Sequence, residues 1–132
     1  MTTPLQPSLS EANFDRRALD IDAAEETCRL TEALRNAVRQ QFHRKGVVVG
    51  ISGGVDSSVV LALCARAFGS EHVVGVLMPE KESSPDSVRL AQLVAQRYSV
   101  KTVTEDITRV LEGLDCYRRR DQAIARLFPG YG

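Results

Sequence analysis

With 132 residues, 17 basic and 17 acidic, this chain reads as one small domain of zero formal charge, and nothing in it suggests a broad surface for nucleic acid or membrane. Hydrophobic residues at 43% suffice for a core, and charged residues at 26% are ordinary for a soluble protein. No apolar run approaches the roughly 18 residues of a membrane span, and the opening Met-Thr-Thr-Pro-Leu-Gln-Pro lacks the basic and apolar regions of a secretory signal. Three cysteines without a close pair argue against a disulfide framework and against zinc, which makes a reducing cytoplasm the expected compartment.

Residues 1–19 hold two prolines, several hydroxyl side chains and no apolar period, so a flexible arm is expected there, with a domain over 20–132. Asp22-Ala23-Ala24-Glu25 resembles a capping box, and Leu30, Leu34, Ala37, Val38 and Phe42 follow at helical spacing. His43-Arg44-Lys45-Gly46 ends that helix with basic residues and then glycine. Val47 to Ile51 is a β-branched run expected as a strand buried on both faces. Val59 to Phe68 is apolar nearly all round, predicting a helix covered on most sides, and Gly69 stops it. Cys28 and Cys64 are expected as small buried thiols within helices, and Cys116 in a less regular stretch.

Val73 to Met78 repeats the buried-strand pattern and Pro79 stops it. Ser84-Pro85 predicts an N-cap with proline at the first helical position, and Val88, Ala91, Ala95 and Tyr98 give the helix one apolar face. Val100 to Thr104 is a third strand, and Ile107 to Leu114 and Asp121 to Phe128 are two short helices. This order predicts an α/β fold: a parallel sheet with helices on both faces, right-handed crossovers, and ligands beyond the carboxyl ends of the strands.

One such end carries Ile51-Ser52-Gly53-Gly54-Val55-Asp56-Ser57-Ser58. Two glycines offer positive φ and no Cβ to obstruct a ligand, while Asp56, Ser57 and Ser58 are good capping types at the head of a helix. Strand, glycine turn and helix N-terminus in that order make an anion site, because unpaired backbone N–H groups converge there. A helix N-terminus contributes only about 0.3–2 kcal/mol to an anion, so a triphosphate needs further cations. The loop has an acid, Asp56, where the GxxxxGK[ST] loop has lysine, and an acid tolerates phosphate when Mg²⁺ lies between them. Lys81 and Arg118 to Arg120 are further cations that could reach phosphates, although a charge run is usually a solvated face.

The Ser-Gly-Gly-x-Asp-Ser-Ser string resembles the pyrophosphate loop of the N-type ATP pyrophosphatases. The wider wording from Gly46 to Ser87, with Met78-Pro79-Glu80 and Tyr117-Arg118-Arg119-Arg120-Asp121, resembles the NAD synthetases, over their first half. The resemblance implies the Rossmann-like fold of the adenine nucleotide alpha hydrolases, ATP on residues 51–58, and adenine near Leu77 and Met78, which read equally as strand-end core residues. It implies Mg²⁺ at Asp56, with deamido-NAD and ammonia as the other substrates and NAD, AMP and pyrophosphate as products. It names no catalytic base in this stretch. It also implies a later strand beside the first, leaving an open strand edge, and hence a homodimer or a completing polypeptide. Two alternatives stand beside it: a noncatalytic or truncated nucleotide-binding module, and a related tRNA sulfur-transfer enzyme, which would want a second active cysteine and a basic surface.

Overall fold

The computed structural model describes residues 20–130, so the expected arm at 1–19 lies outside the described residues. Asp22 caps helix α1 (Ala23–Arg35), its carboxylate accepting from the amides of Ala24 and Glu25 at 2.9 and 3.0 Å. The helix continues as a π-helical stretch, Asn36–Gln41. His43, not Gly46, supplies the left-handed residue that closes it, at φ 52°. Histidine is among the non-glycine types that reach this conformation most readily.

Gly46 serves a different purpose. A Cβ there would lie 2.3 Å from the carbonyl oxygen of His72, so the chain approaches the start of the second strand more closely than a side chain allows. Gly46→Ala is therefore expected to destabilise the fold by about 1–3 kcal/mol, as overpacking does. Urea unfolding of the two proteins would measure it.

Strands β1 (Val47–Gly50), β2 (Val73–Leu77) and β3 (Lys101–Thr104) form a parallel sheet in the order β1-β2-β3. Val47 pairs with Val73 and Val74 with Lys101. Helix α2 (Val55–Phe68) joins β1 to β2, and α3 (Pro85–Arg97) joins β2 to β3. Stepping twice in one direction with right-handed crossovers brings both helices to one face, and they touch each other there. Val49, Ile51, Val73 and Leu77 of the sheet meet Leu61, Cys64 and Phe68 of α2 and Ala91 and Ala95 of α3 in one core. Burial pushes the Cys64 thiol pKa up, in keeping with an inert core residue. Ser84 caps α3, and Pro85 opens it.

The α/β class and the parallel sheet with helices packed around it are as expected, but β1 is not buried on both faces. It is an edge strand among the described residues, and while Val49 is buried, Val48 is 72% exposed. Nor is α2 covered on most sides: Val59 is 51% exposed, because only the stripe through Leu61, Cys64 and Phe68 turns toward the sheet. Cys28 is exposed rather than buried. Two short helices close the described chain, α4 (Thr108–Gly113) and α5 (Cys116–Ala125). The second begins five residues earlier than the sequence suggests, so Cys116 opens a helix and Tyr117 to Arg120 lie on it. No described helix is long and apolar enough to cross a membrane.

Candidate functional site

At the carboxyl end of β1, Ile51 still holds the sheet, its N–H bonded to the Val76 carbonyl at 2.9 Å. The chain then turns through Gly53 at φ 82°. A Cβ on Gly53 would stand 2.4 Å from the Ser87 carbonyl oxygen, so glycine is required there by the close passage of α3 as well as by φ. Gly54 takes the N-cap position, with ordinary extended backbone (φ −79°, ψ 163°).

The expected capping roles of Asp56, Ser57 and Ser58 are not what the structure shows. No side chain caps α2. Ser57 and Ser58 already lie in the first turn, and their hydroxyls donate to the Gly54 carbonyl at 3.1 and 2.8 Å. Ser57 Oγ also receives the Ser52 amide at 3.2 Å, and Ser52 Oγ receives the Gly54 amide at 3.3 Å. These bonds hold the loop in shape while leaving the leading amides of the helix, at Val55, Asp56 and Ser57, without a side-chain cap. An uncapped helix start behind a left-handed glycine is an anion cradle.

Asp56 follows directly, exposed, and its carboxylate forms no ion pair among the described residues. No cluster of three or more His, Cys, Asp or Glu that could hold a metal exists among the described residues. A single carboxylate nevertheless fits Mg²⁺ of the kind shared with phosphate oxygens and water.

The end of β2 lies beside this loop. Ile51, Ser52, Leu77, Met78, Pro79, Ser83, Ser87 and Val88 line a common cavity of ≈ 150 Å³. That is below the roughly 300–1,000 Å³ of sites that enclose a whole drug-sized ligand, too small to hold a whole nucleotide by itself. Leu77 is a core residue, and its carbonyl accepts the Glu105 N–H at 2.8 Å. Met78 is half exposed, and its backbone groups have no partner among the described residues. The structure thus brings Ile51 and Ser52 of the predicted loop together with Leu77 and Met78, while Gly53 to Ser58 lie outside this cavity. Of the cavity's lining, Pro79, Ser83, Ser87 and Val88 are not named as site residues from sequence, where Pro79 reads as a strand stop and Val88 as part of a helix's apolar face.

Of the cations proposed from sequence, Lys81, Arg118 and Arg120 pair with acids, and Arg119 forms no ion pair among the described residues. Arg118 pairs with Asp115, Arg120 with Glu82 and Asp121, and Lys81 with Glu112 at 3.7 Å. Two larger hollows of ≈ 650 and 680 Å³ share Val59, Ala62, Arg97 and Tyr98 between α2 and α3. The second is lined also by Val55 and Ser58 of the loop, whereas the smaller cavity alone joins Ile51 and Ser52 to the end of β2.

A family model described as NAD synthase matches residues 26–126. The chain belongs to that family. The match runs from within α1 to just past α5 and so contains the whole loop at 51–58 and the end of β2. The NH(3)-dependent NAD(+) synthetase of Rhizobium rhizogenes is 47% identical over 115 residues, 87% of this chain and 35% of that protein. Its counterpart from Rhizobium meliloti is 42% identical over 128 residues, 97% of this chain and 38% of that protein. Among solved structures, an NH3-dependent NAD synthetase from Campylobacter jejuni, in complex with the nitrate ion, is similar with a TM-score of 0.66 at 26% identity. It covers 72% of this chain and 41% of that one. The chain therefore spans a little over a third of the length of these two curated relatives.

Proposed function

We propose that this chain carries the ATP-handling part of an ammonia-dependent NAD synthetase, a carbon–nitrogen ligase. The observation that carries the proposal is the uncapped start of α2, with its amides at Val55, Asp56 and Ser57, in a member of the NAD synthase family. In the reaction, the nicotinate carboxylate of deamido-NAD attacks the α-phosphate of ATP and pyrophosphate leaves. Ammonia then displaces AMP from the adenylate, giving NAD. The backbone donors hold the pyrophosphate moiety and offset the charge that builds on it as it departs. Met78, whose backbone groups have no partner among the described residues, would receive the adenine, and Ile51 and Ser52 line the same cavity. Mg²⁺, held by Asp56 and phosphate oxygens, would supply further positive charge there.

The edge of β1, unpaired among the described residues, and the exposed Val48 favour a second copy or a completing polypeptide as partner, since an open apolar strand edge invites pairing. Cytoplasmic residence suits both this chemistry and the unpaired cysteines.

Calorimetry with Mg-ATP tests the first half of this reading, and saturable 1:1 binding is the expected result. Incubation with ATP, deamido-NAD and ammonium, followed for AMP and NAD, tests the second. The 132-residue polypeptide alone is expected to bind ATP yet form negligible NAD, because positioning of both substrates supplies about 7–11 kcal/mol of such a barrier. Sedimentation of the same preparation is expected to show self-association. Absence of ATP binding would overturn the whole reading, and tight binding without turnover in any assembled form would leave a nucleotide-binding module.

A further inference from the structure

Helix α5 is fastened to the turn that follows β2, across 37 residues of sequence. The Tyr117 hydroxyl donates to Glu80 Oε2 at 2.6 Å. Glu80 Oε1 accepts the Glu82 amide at 3.0 Å, so one carboxylate ties the turn to itself and to the helix. The turn is closed further by Ser83 N–H on the Glu80 carbonyl at 2.9 Å and by Glu80 N–H on Ser83 Oγ at 3.0 Å. Two outer braces flank this bond. Arg120 grips both oxygens of Glu82, and the Lys81 ammonium stands 3.8 Å from the centre of the Tyr117 ring.

Pro79 and Ser83, at the two ends of this turn, line the cavity beside the pyrophosphate loop together with Leu77 and Met78. We propose that Tyr117 is a positioning residue for the nucleotide site: through Glu80 it fixes the Pro79–Ser83 turn, and so the wall that meets the base. The inference rests on the functional reading above, in that a nucleotide is taken to fill this cavity. A strand-to-helix turn left to itself must be ordered each time ligand binds, and a side-chain tether from a separate helix removes that cost in advance. Tyrosine suits the role because its proton stays in place. Burial, and then the bond to Glu80, pushes the phenol pKa up to about 12, so the hydroxyl remains a donor at neutral pH. The same arrangement explains why the cations near the site are paired with acids of this region instead of standing ready for phosphate.

Tyr117→Phe removes the hydroxyl and keeps the ring. Two readouts are taken on the whole chain: amide exchange at Glu82 and Ser83, and the Kd for Mg-ATP. Both are expected to worsen by roughly fivefold or more, as loss of a bond to a charged group implies, while the melting temperature and circular dichroism stay near those of the parent. Glu80→Ala should weaken ATP binding similarly, and the double variant should lose no more than the stronger single one. Unchanged exchange or unchanged affinity in Tyr117→Phe would overturn the proposal. So would additive losses, or an affinity loss matched by a general loss of stability. If the parent itself binds no Mg-ATP, the functional reading fails instead, and amide exchange alone then judges whether α5 fixes the turn.

Discussion

Gly54→Val is expected to abolish Mg-ATP binding while leaving the helix content of the protein nearly intact. The two loop glycines look alike in sequence, yet their surroundings differ. At Gly54 φ is −79°, and a Cβ would meet only Ser52 Oγ, at 3.4 Å, which is ordinary contact. An extended backbone of this kind accepts a β-branched residue, and the change from glycine at an N-cap costs about 1 kcal/mol or less. The new side chain, however, stands immediately before the Val55, Asp56 and Ser57 amides and crowds the space an anion would use. Loss of two charge-assisted bonds, each worth about 1.5–3 kcal/mol, weakens binding by roughly a hundredfold or more. Gly53→Val should behave in the opposite way. Its φ of 82° and the Ser87 carbonyl oxygen 2.4 Å from a Cβ make the substitution a folding defect, visible as a lower melting temperature before any ligand is added. Calorimetry and thermal melting on the pair separate ligand contact from turn geometry. A Gly54→Val protein that binds like its parent would reduce the loop to a plain turn.

Asp56→Ala is expected to lose most of the metal-dependent part of nucleotide affinity. The carboxylate is exposed in the first turn of α2 and has no cationic partner among the described residues. Its favourable interaction with the helix dipole is worth only about 0.3–1 kcal/mol, so the fold should survive its removal. With Mg²⁺ present, the variant lacks a ligand for the ion shared with the phosphates and should lose roughly tenfold or more in affinity, on the scale of a charge-assisted contact. With the metal chelated, the parent instead places a negative charge beside phosphate, and the variant should bind as well or better. Titration of both proteins with ATP, with and without chelator, reads the crossing directly. Equal affinities with and without Mg²⁺ in the parent would remove Asp56 from the metal's coordination.

Much of the fold was legible before any coordinates, because the relevant signals are local. The β-branched run at Val47 to Ile51, the Ser84-Pro85 helix start and the stop at Gly69 are decided by φ, ψ and side-chain volume within a few residues, and each lies where expected. The candidate loop was legible for the same reason: Ser52 to Ser58 is one continuous stretch, and its strand–turn–helix context lies on either side of it. Partner-dependent features were not. Burial of Val48 and Val59 depends on which neighbours a strand or helix finds, and apolar composition alone does not report that. Glycines 46 and 53 read as a stop and as a ligand approach, yet their tight contacts are with His72 and Ser87, on segments distant in the chain.

The sequence by itself determined the class of fold, the position of the candidate loop and the family resemblance, since all three reside in short-range order. Only the tertiary structure decided how that loop works and what surrounds it. It left the amides at the start of α2 uncapped, because the serines expected to cap them sit one turn too far along and bond Gly54 instead. It also paired Lys81 with Glu112 and Arg120 with Glu82, and set Tyr117 against Glu80. Such pairings are settled by which helix returns past which turn, a matter of packing between residues more than thirty positions apart.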